Sequence, residues 1–219
     1  ELDLTLGNNI RGACTIDLVP RSIGLSNFEL DLEALTVDSI TTVQGLWPFT
    51  HEGSRLAITP TAPLTTNDTV RFTVHYHGDP IVDPSGFGGF YTSPALIYNL
   101  GVAFQSVPHS YGRTWFPCLD DFTERSTYSF FVRTAGGKKA WCNGTLVERT
   151  HLGGDTLISH WTCAEEMPAY LVSVAAANYA EVHDTLPAIV GGSMPVTLIA
   201  APGGPSSLGR SLTARSGPR

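Results

Sequence analysis

The chain's chemically capable residues include seven histidines, twenty acidic residues and four cysteines, and their spacing decides which reactions are open to it. His51-Glu52-Gly53-Ser54-Arg55 opens like a zinc-peptidase helix, in which a second His one turn on completes the metal pair. Arg55 occupies that place, a permanent cation that binds no zinc, and the flanking residues alternate as strands do. His75 and His77 lie two apart on an expected strand and share a face, either to seat a metal or to be solvated beside Arg71. Cys14, Cys118, Cys142 and Cys163 are widely separated, lack metal-type spacing and allow up to two disulfides. Asp120 and Asp121 are adjacent, so on an extended chain they point apart and form no acid–base pair by themselves. His109 with either of them would make only a fragment of a hydrolase, with no nucleophile motif nearby. There is no G-x-S-x-G elbow, P-loop or dinucleotide fingerprint. These residues yield no catalytic set and no metal set.

The elements that would position such groups have a period of two. Phe28, Leu30 and Leu32 alternate with Glu29, Asp31 and Glu33. Val70, Phe72, Val74 and Tyr76 alternate with Arg71, Thr73, His75 and His77, and Tyr128, Phe130 and Val132 with Ser129, Phe131 and Arg133. Leu56 and Ile58, then Tyr170, Val172 and Val174, continue the pattern. Turn residues separate the runs, among them Gly78-Asp79-Pro80, Gly136-Gly137 and Gly153-Gly154-Asp155. The expected fold is therefore all-β, an antiparallel β-sandwich. One stretch, 79–122, is rich in Gly, Pro and aromatics and breaks the rhythm, as functional loops do. Residues 1–200 read as one β-domain, and 201–219, dense in Gly, Pro and Ser, as a linker or the truncated start of another domain.

Composition narrows the function classes. The net charge of −7 argues against nucleic acid as a partner. No apolar run reaches the roughly 20 residues of a membrane span. With 42% apolar and 10% aromatic residues, the chain can bury a core and is not disordered. Two glycosylation-type triplets, Asn67-Asp68-Thr69 and Asn143-Gly144-Thr145, only two lysines, and a start at Glu1 without Met lean towards export, periplasmic or extracellular, with a leader or upstream segment removed.

Gln105–Thr127 reads QSVPHSYGRTWFPCLDDFTERST, preceded by Gly89-Phe90-Tyr91-Thr92-Ser93 and followed by Asn143-Gly144. In order and spacing this resembles the N-terminal β-domain of the aminopeptidase N family of zinc metallopeptidases, which includes leukotriene hydrolase. That family carries G-F-Y-x-S, then A-R-x-x-F-P-C-x-D-E-P, then S-N-G. The matches are Phe90, Tyr91, Ser93, Arg113, Phe116, Pro117, Cys118, Asp120, Asn143 and Gly144, and the likeness extends over about residues 1–200. Asp121 and Phe122 replace the usual Glu and Pro, and Pro108 stands where family exopeptidases carry a Gln or Glu for the substrate's amine.

The resemblance implies a non-catalytic, saddle-like N-terminal domain that forms one wall of the substrate cleft and docks on a downstream zinc-binding catalytic domain. It implies a peptide substrate, and zinc in that other domain rather than here: H-E-x-x-H and G-x-M-E-N are both missing, since Pro195 follows Gly192-Ser193-Met194. The wall would comprise Gln105, Ser106, Pro108, His109 and Tyr111, with Gln105, Ser106 and His109 as alternatives for the amine. Arg113, Phe116, Pro117, Cys118 and Asp120 would form its structural motif, with an Arg113–Asp120 pair holding the loop over packed Trp115 and Phe116. The alternative is a standalone sandwich that binds protein or glycan.

Overall fold

Apolar side chains that recur every second residue put one face of each strand in the core and the other in water. Phe72, Val74 and Tyr76 are buried while Arg71 faces out, and Leu30 is buried beside exposed Glu29. The structure, a computed structural model, describes residues 1–66, 69–187 and 191–200. Asn67 and Asp68 of the first triplet, and the expected linker 201–219, lie outside the described residues.

In chain order the strands are β1 (Leu2–Leu6), β2 (Asn9–Leu18), β3 (Phe28–Asp31), β4 (Thr36–Thr42), β5 (Gly45–Leu46), β6 (Phe49–Glu52), β7 (Arg55–Ile58) and β8 (Val70–Gly78). They continue with β9 (Gly89–Tyr91), β10 (Leu96–Leu100), β11 (Ser126–Thr134), β12 (Lys139–Cys142), β13 (Thr145–Gly153) and β14 (Thr156–Met167). The last are β15 (Val174–Ala177), β16 (Ala180–Pro187) and β17 (Ser193–Ala200). Helical turns among the described residues are two 3-10 pieces, Gly112–Thr114 and Ala169–Leu171. None is long and apolar enough to cross a membrane.

An eight-stranded sheet runs β13-β14-β11-β1-β2-β8-β4-β5. A four-stranded sheet runs β12-β15-β10-β9, a three-stranded one β3-β7-β6, and β16 pairs with β17 alone. The core lies between the eight-, four- and three-stranded sheets, and β16 and β17 supply none of its buried residues. Phe28, Trp47 and Phe72 cluster at ring separations of 5.5 to 6.4 Å on one side. Phe90, Trp115 and Phe116 do so at 4.6 to 5.8 Å on another.

The chain is nearly all strand, in several antiparallel sheets, as expected, and the structure adds three details. Among the described residues the pairing is antiparallel except between β1 and β11, where the first strand slots in parallel beside a strand far along the chain. Residues 79–122 are not wholly irregular: β9 and β10 form a hairpin inside them, with Asn99 buried between the carbonyl of Val172, at 2.9 Å, and the amide of Val174, at 2.8 Å. Tyr170 lies in a 3-10 turn, because Pro168 enters it with no amide to donate and the strand resumes only at Val174.

Asn143-Gly144 joins β12 to β13, which belong to different sheets. Gly144 has φ +87°, and a Cβ there would lie 2.0 Å from the carbonyl oxygen of Thr162. Asn143 spans to the 3-10 turn, accepting from the amide of Ser173 at 2.6 Å and donating to the carbonyl of Leu171 at 3.3 Å.

Candidate functional site

Tyr111 to Cys118 are all buried, an unusual run for a loop, and each polar group in it needs a partner. The outer margin of β3 supplies several. Asp31 exchanges backbone hydrogen bonds with Cys118, at 2.7 and 3.1 Å, and the Glu33 amide donates to the Arg113 carbonyl at 2.8 Å. The Asp31 carboxylate accepts from the Asp120 amide at 3.0 Å. The loop is thereby zipped to the sheet and cannot slide.

Arg113 is the hub. Its guanidinium meets Asp120 at 3.1 Å and Glu33 at 2.8 Å, and also donates to the carbonyl of Ser110. It lies 4.8 Å from the centre of the Tyr111 ring. The Asp120 carboxylate also accepts from the amides of Gly112 and Arg113, both at 3.2 Å. Burial pushes the Asp120 carboxyl up from its ordinary value, and the hydrogen bonds and charge of Arg113 only partly oppose that. Burial alone would lower the Arg113 pKa, but the Glu33 and Asp120 carboxylates outweigh it and raise the value. Beneath the pair, the Tyr76 hydroxyl donates to the Trp115 carbonyl at 2.8 Å.

The residues before this hub face outward. Gln105, Pro108 and His109 are exposed and Ser106 is half-buried, whereas Tyr111 is 1% exposed beneath Arg113 and presents no surface. His109 has no carboxylate at hand: Asp120 is committed to Arg113, and Asp121 caps the amides of Thr123 and Glu124 at 2.6 and 2.7 Å. No catalytic dyad forms there.

Asp83 is the residue that sequence reasoning missed. It is buried, and its carboxylate accepts from the amides of Ser85 and Gln105, each at 3.1 Å, and of Ser106 at 2.7 Å. It also accepts from the Ser85 hydroxyl and, at 2.6 Å, from the Ser106 hydroxyl. Asp-x-Ser is the pattern of a side chain folding back on its own turn, and this was the available signal. The bonds to Gln105 and Ser106, 22 and 23 residues on, carry no such signal.

Burial opposes the charge of Asp83, but these hydrogen bonds win and hold its carboxyl well below the usual range. A depressed folded value means that its contribution to stability is complete above about pH 4 and drains as pH falls towards that value. Asp83→Asn is expected to speed amide hydrogen exchange at Gln105 and Ser106 on the order of tenfold while leaving the β11–β14 amides unchanged. Exchange followed by NMR at neutral pH checks this.

Neither expected metal candidate assembles a site. His51 binds the Leu32 carbonyl at 2.8 Å, and His51 to Arg55 form the β6–β7 hairpin rather than a helix, with Arg55 paired to Glu29 of the neighbouring strand β3. His77 meets Asp38 at 2.9 Å, and His75 meets the Thr41 hydroxyl at 3.1 Å. No group of three or more His, Cys, Asp or Glu able to hold a metal occurs among the described residues. A zinc ion therefore does not fit these side chains. All four cysteines are free, and burial pushes the Cys14 thiol up to about 11. A recess of about 280 Å³ between Asn8, Ser93, Pro94 and Lys138 shares no residue with the segment above.

The fold is shared with M1 zinc metallopeptidases of known structure. A two-domain M1 zinc metallopeptidase bound to L-tryptophan aligns with TM-score 0.81 and 19% identity, over 94% of this chain and 47% of that one. The M1 zinc metallopeptidase from Deinococcus radiodurans aligns with TM-score 0.80 and 20% identity, over 94% and 46%. Legionella pneumophila aminopeptidase A, in complex with aspartic acid, aligns with TM-score 0.74 and 18% identity, over 94% and 24%. The chain thus spans less than half the length of the structures it matches. No protein-family profile and no curated protein matches the sequence.

Proposed function

We propose that this chain is the non-catalytic N-terminal domain of an aminopeptidase-N-like zinc metallopeptidase. It forms one wall of a peptide-binding cleft and docks on a separate catalytic domain. The observation that carries this reading is the fold match, which takes in nearly all of this chain and under half of each M1 enzyme chain. The loop motif supports it: Arg113, Phe116, Pro117, Cys118 and Asp120 pin a segment whose neighbours Gln105, Ser106, Pro108 and His109 reach the surface. Zinc and the hydrolytic step belong to the docked domain, and this chain's share is positioning.

With Pro108 at the usual Gln or Glu place, the wall offers no carboxylate of its own to a substrate amine, because Asp83 and Asp120 are fully engaged. The purified chain is expected to bind less than about one zinc in ten molecules on equilibrium dialysis and to hydrolyse no aminoacyl anilide. Stoichiometric zinc with chelator-sensitive hydrolysis would overturn the reading.

A further inference from the structure

Six buried side-chain nitrogen or oxygen atoms lack a hydrogen-bond partner among the described residues, and four of them lie together: Nε and Nη2 of Arg149, Nε1 of Trp141 and Oγ of Ser159. Buried polar groups are normally paired, so such a cluster calls for an occupant. Arg149 on β13 stands directly opposite Ser159 on β14, and paired positions share a face of the sheet. Ser159 is fully buried, and Trp161, two residues on, lies on the same face. The Arg149 guanidinium carbon is 5.1 Å from the centre of the Trp141 ring and 6.0 Å from that of Trp161.

The frame around these atoms is pinned. The Trp161 indole N–H donates to the Ala140 carbonyl at 3.1 Å, and the Trp141 and Trp161 rings pack at 5.2 Å, which holds β12 against β14. Lys139, on the same face of β12 as Trp141, meets Glu181 of β16 at 2.9 Å. Nη1 of Arg149 lies 3.8 Å from that carboxylate, beyond hydrogen-bond reach, and His183 approaches it at 3.6 Å. Lys139 and Arg149 thus share one anion, which leaves the cluster a net positive charge. Their side chains are 42% and 18% exposed, so the cluster is reached from the surface.

Nε and Nη2 form the edge of a guanidinium that grips two oxygens side by side. Arg71 shows this in the same molecule: its Nε and Nη2 take the two oxygens of Asp17 at 2.6 and 2.7 Å. Arg149 keeps the same edge buried and unpartnered. The guanidinium and the indole N–H only donate, and the serine hydroxyl is free to do so. A water must also donate, whereas a carboxylate only accepts, and donors dominate this set. We infer that Arg149, Trp141 and Ser159 form a carboxylate-binding site, filled either by a small carboxylate ion from solution or by an Asp or Glu side chain of the protein that carries this chain. The site shares no residue with the 105–109 segment and does not rest on the proposed cleft.

The test uses the intact protein that carries this chain, titrated with sodium acetate against sodium chloride at constant ionic strength and followed by calorimetry. A site open to solution is expected to bind one acetate per chain with a Kd of about 1–10 mM. Arg149→Lys keeps the charge but loses the two-pronged edge, and should weaken this binding at least tenfold; Ser159→Ala should weaken it about threefold. Acetate held elsewhere in the protein would survive both substitutions. Both variants should keep the parent's circular dichroism; should Arg149→Lys lose it, Ser159→Ala takes its place in the comparison. A crystal structure of the intact protein, grown without carboxylate buffers, reads the second source: carboxylate oxygens of an Asp or Glu within about 3.2 Å of Nε and Nη2.

Acetate binding that these substitutions weaken supports the site, with the ion as its source. Without such binding, an Asp or Glu carboxylate on the Nε–Nη2 edge in the crystal supports it, with the protein as its source. If no acetate binding depends on Arg149 or Ser159 and that edge holds water or nothing in the crystal, the inference is overturned.

Discussion

Arg113→Met is expected to cost about 3–5 kcal/mol of unfolding free energy, read from urea denaturation at pH 7. The side chains of Arg113 and Asp120 are 5% and 0% exposed, so removing the guanidinium strands a carboxylate that water cannot reach. It also frees Glu33 and leaves the carbonyl of Ser110 short of a donor. Lysine does not repair this: one ammonium cannot meet Glu33 and Asp120 on two sides as the planar fork does.

The pH dependence separates this cause from loss of packing. Burial already raises the Asp120 carboxyl, and a raised folded value means that this group's contribution to stability falls as pH climbs through the window from its unfolded to its folded value. Without Arg113 that value rises further. The deficit of Arg113→Met should therefore be larger at pH 7 than at pH 4, where Asp120 can take a proton. A deficit independent of pH would assign the loss to packing instead.

Trp115→Ala is expected to cost a similar amount, about 3–5 kcal/mol, through the cavity it leaves. Trp115 is 4% exposed and its ring contacts both Phe90 and Phe116, at 5.8 and 4.6 Å. It thus joins β9 to the motif loop. Trp115→Phe keeps an aromatic ring in that gap and should cost roughly half as much or less. Near-ultraviolet circular dichroism alongside the denaturation curve would show whether the loop packing is lost with the stability. An alanine variant as stable as the parent would mean that this ring does not join the loop to the sheets.

The strands could be read because alternation is local. Phe72, Val74 and Tyr76 each bury as their period predicts. The same logic failed at β10, where the buried residues are Ile97 and Asn99. A polar side chain satisfied by Val172 and Val174 looks, in sequence, like a break in the pattern. The parallel seat of β1 beside β11 was hidden for another reason: partners 130 residues apart leave no trace in spacing.

The loop motif shows the same division. Arg113 and Asp120 are seven residues apart, so pairing across one turn could be foreseen, and the pair is present at 3.1 Å. Glu33, Arg113's other partner, is 80 residues away and could not. Tyr111 reads as a surface aromatic among Ser and His neighbours, but a guanidinium stacked on its ring takes it inside. Asp83 has a local signature for only part of its role.

Metal analysis of the native protein that contains this sequence, purified intact, bears on the proposal at its root. It should carry about one zinc per molecule, and limited proteolysis that frees residues 1–200 should leave the zinc and the peptidase activity's metal requirement with the remaining fragment. Zinc that travels with 1–200, or an intact native protein without zinc or any further domain, would contradict a domain whose work is to flank a cleft that another domain completes.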